Sequence, residues 1–440
     1  MHLVFENVVK HLISLWTGNI DGVHGDFEFD DPSVWQAVGG DAEGSGNTIP
    51  GAFGARPPNV AEPKGAATAD TSSFWLQYLG PVHLAKRFRR PEYYVHFVEL
   101  ANLVNVCMQF ESSREVVSEL RAGFIAWVEG FEKMYYQHDP EHLAACTINV
   151  HALLHIADSI EAVGPVWAYW AFPMERYCGR LQRTLRSPRY PWSNLNLSVI
   201  ATARLDQIKL RYNLAHELSL RPPPNDYVRD ATCVLLPRCL PSSATTPAHL
   251  SKINIHLQTR YSARHSTIKR YLTRDAVQQY ARVHILPDGD EICASCIAPH
   301  SEDRREASYV KYDLLIDIHR RNHRRSPVFV PKSFYGELQN IFLVRLPASA
   351  RAALDCSDDR GDADAPVVLI LAGILQCETV PVPPLKNPVF SVMGAYEVVD
   401  ITSVQCLVGR TKSPVGSGSK PWAIIDRSAA INHSYYIPDM

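Results

Sequence analysis

The sequence predicts an α+β protein, with a helical N-terminal half and a small, mostly antiparallel β domain behind it. Three observations carry this expectation. Apolar residues recur at helical spacing through the first 220 positions. Short β-branched and aromatic runs, separated by Gly, Pro, Asp and Ser, take over after about position 251. A Pro/Ser/Thr-rich stretch lies between the two. The expected organisation is a helical region over 1–220 containing a loop over 21–71, a linker over 221–250, and a β-rich domain over 251–440.

Taken in order, Val4, Phe5, Val8, Val9, Leu12, Leu15 and Trp16 form a helical stripe that Gly18 ends. Residues 21–71 are rich in Gly, Pro, Ala and Asp with little periodicity, which predicts a long irregular excursion. Helical patterning resumes near Phe74. One strongly apolar segment runs from Val95 to Cys107, and a second holds Leu120, Phe124, Trp127, Val128 and Phe131. Asp139-Pro140 breaks the pattern. From Asn149 to Leu214 follow an apolar helix, a Gly-Pro stop at 164–165, an aromatic run and a helix start at Pro173, a residue suited to a first turn. Pro222-Pro223-Pro224 and the cluster from Pro241 to Pro247 mark the linker. Beyond it, a helix is expected over Ser266–Ala281. Strands are expected over Ser308–Ile318, Ile341–Arg345, Val367–Leu375, Tyr396–Val404 and Trp422–Ile425.

Composition bounds the class. At 440 residues the chain is long enough for two or three domains, and 46% hydrophobic with 20% charged residues is ordinary for a soluble protein. The longest apolar run, Ala365–Leu375, is too short to span a bilayer. The N-terminus lacks the cationic-then-apolar order of a secretory signal, and ten scattered cysteines point to a reducing compartment. The net charge of -2 hides a local asymmetry: from Arg176 to Leu214 there are eight Lys or Arg against one acid, Asp206. Charge so placed predicts a polyanion partner, met by Arg176, Arg180, Arg183, Arg186 and Arg189.

Several constellations could carry chemistry. His151 and His155 have the i, i+4 spacing of two zinc ligands, but the position that supplies the general base in the zincin motif is Ala152. Cys293 and Cys296 form one CxxC with His300 beyond it, and no second pair repeats the spacing. Glu175 is followed by Cys178 and Gly179, small neighbours that leave room for a metal ion or phosphate; a first-turn Glu favoured by the helix dipole, beside a solvated arginine face, is the commoner reading of such a residue. Arg176, Arg180 and Arg183 fall at i, i+4, i+7 as a basic stripe, open to nucleic acid or simply solvated. The run His319–Arg325 admits the same two readings.

Four stretches carry a resemblance. MHLVFENVVKHLISLWTG, NVHALLHIADSIEAVGPVWAYWAFPMERYCGRL, FYGELQNIFLVRLP and WAIIDRS resemble the C-terminal region of CACTA-type (En/Spm-like) transposases, most closely the Plavaka forms of mushroom-type fungi. The resemblance implies that the helical half is the remnant of an RNase H-like core with a helical insertion. Intact members use three acids to hold two Mg2+ or Mn2+ ions for strand cleavage and transfer. His2 matches the His of the family's Asp-x-x-His motif, whose Asp then lies upstream of Met1, and Glu175 matches the third acid. With the first two acids missing, the resemblance implies an N-terminally truncated, catalytically inactive chain. It would hold no metal or cofactor, reside in the nucleus, bind DNA, and assemble with itself or an intact transposase without touching a membrane. Two other readings stand beside it. One is a host-adopted module that binds a protein or chromatin through its β domain. The other is a hydrolase built on His151, His155 and Glu175, which Ala152 disfavours by removing the expected base; were the chain to cleave DNA with a metal, Asp158 and Glu161 on the preceding helix would be the acids to complete a site with Glu175.

Overall fold

The computed structural model describes residues 2–62, 68–185, 189–214, 217–218, 232–286, 289–301, 303–319, 325–354, 365–383, 385–416, 418 and 421–428. It is an α+β protein, helical in its N-terminal half and built on antiparallel sheet in its C-terminal part. A π-helical turn, His2–Val8, runs into α1 (Val9–Trp16), and every apolar residue of the stripe read from the sequence is buried. Trp16 anchors an aromatic cluster. Its Nε1 donates to the Tyr135 hydroxyl at 3.1 Å, and its ring meets Phe88 and Phe97 edge-on at 5.2 and 5.6 Å.

The expected loop over 21–71 is corrected by α2 (Pro32–Gly44). Asp31 caps it by accepting from Ser33 N at 2.7 Å, Pro32 opens it, and Trp35, Val38 and Ala42 are buried. Its glycines and alanines dilute the apolar contrast that a periodicity reading needs. Two short helices follow, α3 (Ala69–Phe74) and α4 (Gly80–His83), joined by a π-helical segment, Trp75–Leu79. The long α5 (Pro91–Cys107) and α6 (Arg114–Phe131) form the centre of the helical half. They are pinned by a reciprocal pair: His96 Nε2 donates to the Trp127 carbonyl and Trp127 Nε1 to the His96 carbonyl, each at 2.9 Å, with the rings stacked at 4.3 Å. The helices α7 (Ile148–Ala152) and α8 (Ile156–Val163) close this half, and Gly164, at φ 91°, ends α8 where a side chain would be strained. Then come α9 (Phe172–Arg183) and α10 (Pro191–Tyr212).

The stretch expected as a linker over 221–250 is a correction in its described part. Cys233–Leu240 is a strand, β1, and α11 (Pro247–Tyr261) starts inside it behind a Thr246–His249 capping box. Leu235 and Cys233 alternate inward, which the prolines around them mask in the sequence. Residues 219–231, with the Pro triplet, lie outside the described residues. The helix expected over Ser266–Ala281 is also shorter. It is α12 (His265–Tyr271), and by Val277 the chain is already in β2 (Val277–Ile285), where burial alternates from Val277 to His284. Next come β3 (Glu291–Cys293), β4 (Tyr309–Asp317), β5 (Phe329–Leu346), α13 (Ala348–Ala353) and β6 (Val367–Cys377). The chain continues through β7 (Val389–Phe390), β8 (Met393–Asp400), β9 (Val404–Leu407), β10 (Gly409–Lys412) and β11 (Trp422–Ile425).

All pairings are antiparallel. The larger sheet runs β1-β2-β5-β4-β9, with β3 on β2, β6 on β5 and β8 on β6. One edge of β5 holds β4 along its first half and β2 along its second, while β6 takes the other edge. Both faces of β6 are covered. Ile370, Ala372 and Ile374 enter one cluster, and Val367, Leu369 and Leu371 enter another with Ile253, Leu257 and Ile268 of α11 and α12. That is why its sequence is an uninterrupted apolar run instead of an alternating one.

The smaller sheet, β10-β11-β7, packs against the helices. Val389, Val415, Ala423 and Ile425 share one core with Leu12, Leu79 and Phe97. Thr48 Oγ1 donates to the Arg410 carbonyl at 2.6 Å, His83 Nε2 and Thr411 Oγ1 lie 2.7 Å apart, and Arg305 Nη1 donates to the Gly54 carbonyl at 2.8 Å. Such packing between distant segments leaves no local mark in a sequence. Among the described residues no helix is long and apolar enough to cross a membrane.

Candidate nucleic-acid interface

The helices α9 and α10 stand apart from the rest of the fold in one respect: neither contains a buried residue. α9 forms because Pro173 suits a first turn, Glu175 sits near the positive helix end, and Arg180 and Arg183 occupy the last turn near the negative one. Its spacing puts Arg176, Arg180 and Arg183 along one face, and all three are exposed, as is Arg189 beyond it. Arg186 lies outside the described residues. α10 opens on Pro191, carries Arg204, Lys209 and Arg211, and stops where Asn213 turns left-handed at φ 53°. Aromatic side chains are interleaved with the charges. Arg189 lies 5.4 Å from the Tyr190 ring centroid and Arg211 lies 5.9 Å from that of Tyr212, and Trp192 is 77% exposed.

A basic surface with exposed rings offers two kinds of contact to a nucleic acid, charge-assisted bonds to phosphate and stacking against bases. The sequence located the arginines. It missed the apolar side chains beside them: Leu197, Leu205, Ile208 and Tyr212 are all exposed and, with Ala201, make a stripe at spacings of three and four along α10. The run itself was visible in the sequence, but nothing there distinguishes an apolar face that finds a partner within the fold from one that does not.

The other candidates are placed as follows. His2 and Glu175 are brought together, with Nε2 3.5 Å from Oε1, and His2 Nδ1 also meets Glu6; all of this is solvent-exposed. Beside Glu175, the space around Gly179 is open and Cys178 is exposed. Asp158 and Glu161 are held by Arg121 Nη2, at 2.9 and 2.6 Å. His151 and His155 approach each other at 3.4 Å between their Nε2 atoms. Cys293 closes β3 with its thiol pushed up to about 11 by burial, while Cys296 and His300 are exposed on the turn that follows. Of the run His319–Arg325, residues 320–324 lie outside the described residues. Among the described residues, no group of three or more His, Cys, Asp or Glu is arranged to hold a metal ion.

No family model, curated protein or solved structure matches the chain.

Proposed function

We propose that this chain is the C-terminal part of a CACTA-type DDE transposase, without strand-transfer activity of its own, which acts in the nucleus by binding DNA through α9, α10 and the segment that joins them. The observation that supports DNA binding is the absence of any buried side chain in two helices that carry Arg176, Arg180, Arg183, Arg204, Lys209 and Arg211 against only Glu175 and Asp206. The family assignment rests on the four stretches of sequence resemblance.

The test is binding of a duplex and of a single strand across a salt series. Affinity falls with a slope near -0.9 per phosphate contacted on duplex. In a variant with Arg176, Arg180, Arg183 and Arg189 all changed to Ala, both affinity and slope drop. Equal affinity of the two proteins would refute the reading. Cleavage is assayed in parallel with Mg2+ and Mn2+. Metal-dependent nicking that disappears in Glu175→Gln would show a working site and overturn the inactive assignment.

A second reading is favoured by the apolar stripe of α10. Leu197, Leu205, Ile208 and Tyr212 suit a helix–helix contact with another copy of the chain or with an intact transposase carrying the same helix.

A further inference from the structure

The apolar stripe of α10 is bordered in a way that restricts what can cover it. Ala201, Leu205, Ile208 and Tyr212 take the d, a, d and a places of a heptad seam, and Leu197 carries the stripe one turn further back, to a length of about 22 Å. All five side chains are open to solvent, Leu197 at 69% and Tyr212 at 63%. The charged residues at the e and g places beside the seam are Lys209 on one side and Arg204 and Arg211, one heptad apart, on the other. Asp206, the single acid of the helix, falls on the opposite side. Among the described residues, none of the three cations meets a carboxylate.

Such a border discriminates between partners. In a parallel helix pair the g places face e of the partner, and in an antiparallel pair g faces g and e faces e. A second copy of α10 therefore sets cation against cation in either direction, and it can use the seam only where salt screens them. A helix with the same apolar spacing and carboxylates at its border places meets no such cost and gains a charge pair at each cation.

We infer that α10 is a docking helix for an acidic amphipathic helix of another protein, gripped by Leu205, Ile208 and Tyr212 and selected by Arg204, Lys209 and Arg211. The inference shares α10 with the DNA-binding reading without resting on it, and the two occupants compete for the same cations.

Calorimetric titration of the full chain with two peptides, in the absence of nucleic acid, tests it. One is an end-capped triple repeat of Glu-Ile-Ala-Ala-Leu-Glu-Lys, whose border places are glutamates. The other repeats Lys-Ile-Ala-Ala-Leu-Lys-Glu, where they are lysines. The acidic peptide is expected to bind saturably at one site, at least tenfold more tightly than the basic one, and to weaken as salt rises. Leu205→Gln with Ile208→Gln keeps the charge and should lower that affinity at least tenfold. Arg204→Glu with Lys209→Glu and Arg211→Glu should reverse the preference, so that the basic peptide becomes the tighter ligand. Neither set removes a buried residue, since α10 has none, so the melting temperature should hold. Absence of saturable binding by the acidic peptide, equal affinity for the two peptides, full affinity in the glutamine variant, or an unchanged preference in the glutamate variant would each overturn the inference. Preferential binding of the acidic peptide by a protein that fails to bind DNA would support it all the same.

Discussion

Two histidines couple this fold to pH. His83 and His96 are buried, and desolvation depresses them from the ordinary value of 6.5 to about 3 and about 4. Each is neutral in the folded chain, and each leaves its Nδ1 buried without a partner, which suits an unprotonated nitrogen better than a charged one. Below pH 6.5 the unfolded chain takes up protons that the folded chain refuses, so stability falls with acidification until the folded values are reached, by about 1.4 kcal/mol per pH unit for each histidine. Urea unfolding at pH 7 and pH 5 should show the loss. His96→Gln should flatten the slope at some cost in stability at pH 7. A second residue-scale pin is Arg410, which grips Glu306 through two bonds of 2.9 Å while lying 4.2 and 4.4 Å from the ring centroids of Tyr309 and Trp422. Arg410→Met leaves the Glu306 carboxylate half-buried without its cation. Because both side chains keep some exposure, the expected loss is roughly 2–3 kcal/mol, below the figure for full burial. Glu306→Gln in the same background should restore part of it.

At the scale of elements, α10 presents two surfaces whose salt dependence has opposite sign. Arginine contacts to phosphate weaken as salt rises. Packing of apolar stripes between two like-charged helices strengthens, because screening removes their repulsion. Sedimentation of the DNA-free protein should therefore show self-association that grows between low and moderate salt. Leu205→Asp with Ile208→Asp should hold the chain monomeric, and a wild type that stays monomeric at every salt concentration would remove the assembly reading. The elements that were legible in the sequence are those with contrast. The stripe of α1, the long apolar face of α6 and the continuous run of β6 all show in the sequence, because a helix half in water and a strand covered on both sides leave distinct patterns. The helix α2 was not legible, since Gly39, Gly40 and Gly44 give it little contrast despite the burial of Trp35 and Val38. Strand β1 was hidden by Pro237, which lies inside it where the pairing with β2 slips between Leu236 and Cys239. The arginines of the candidate interface were visible as a charge excess, whereas the exposure of the apolar stripe beside them was not, because a sequence does not show which apolar face finds a partner within the fold.

For the whole molecule, the seam between helices and smaller sheet decides what can fold alone. The fragment 232–440 keeps both clusters that flank β5 and β6, but it loses the helical cover over Val389, Val415, Ala423 and Ile425. Amide exchange should separate the two sheets. Protection of β5 and β6 should survive in the fragment, and that of β10 and β11 should fall at least a hundredfold relative to the full chain. Equal protection of both sheets would mean that the seam contributes little.

The same seam sets an order of events during synthesis. The helical core is completed by Ala423 and Ile425, residues that the ribosome adds almost a full chain length after Leu12. Until they emerge, the first helices carry an open apolar surface, and closing it demands a contact of very long sequence separation, which is slow to form. A nascent chain in that condition is a client for holding chaperones and prone to aggregate. A stop codon placed just before β11 should therefore cost the cell the soluble helical half as well as one short strand.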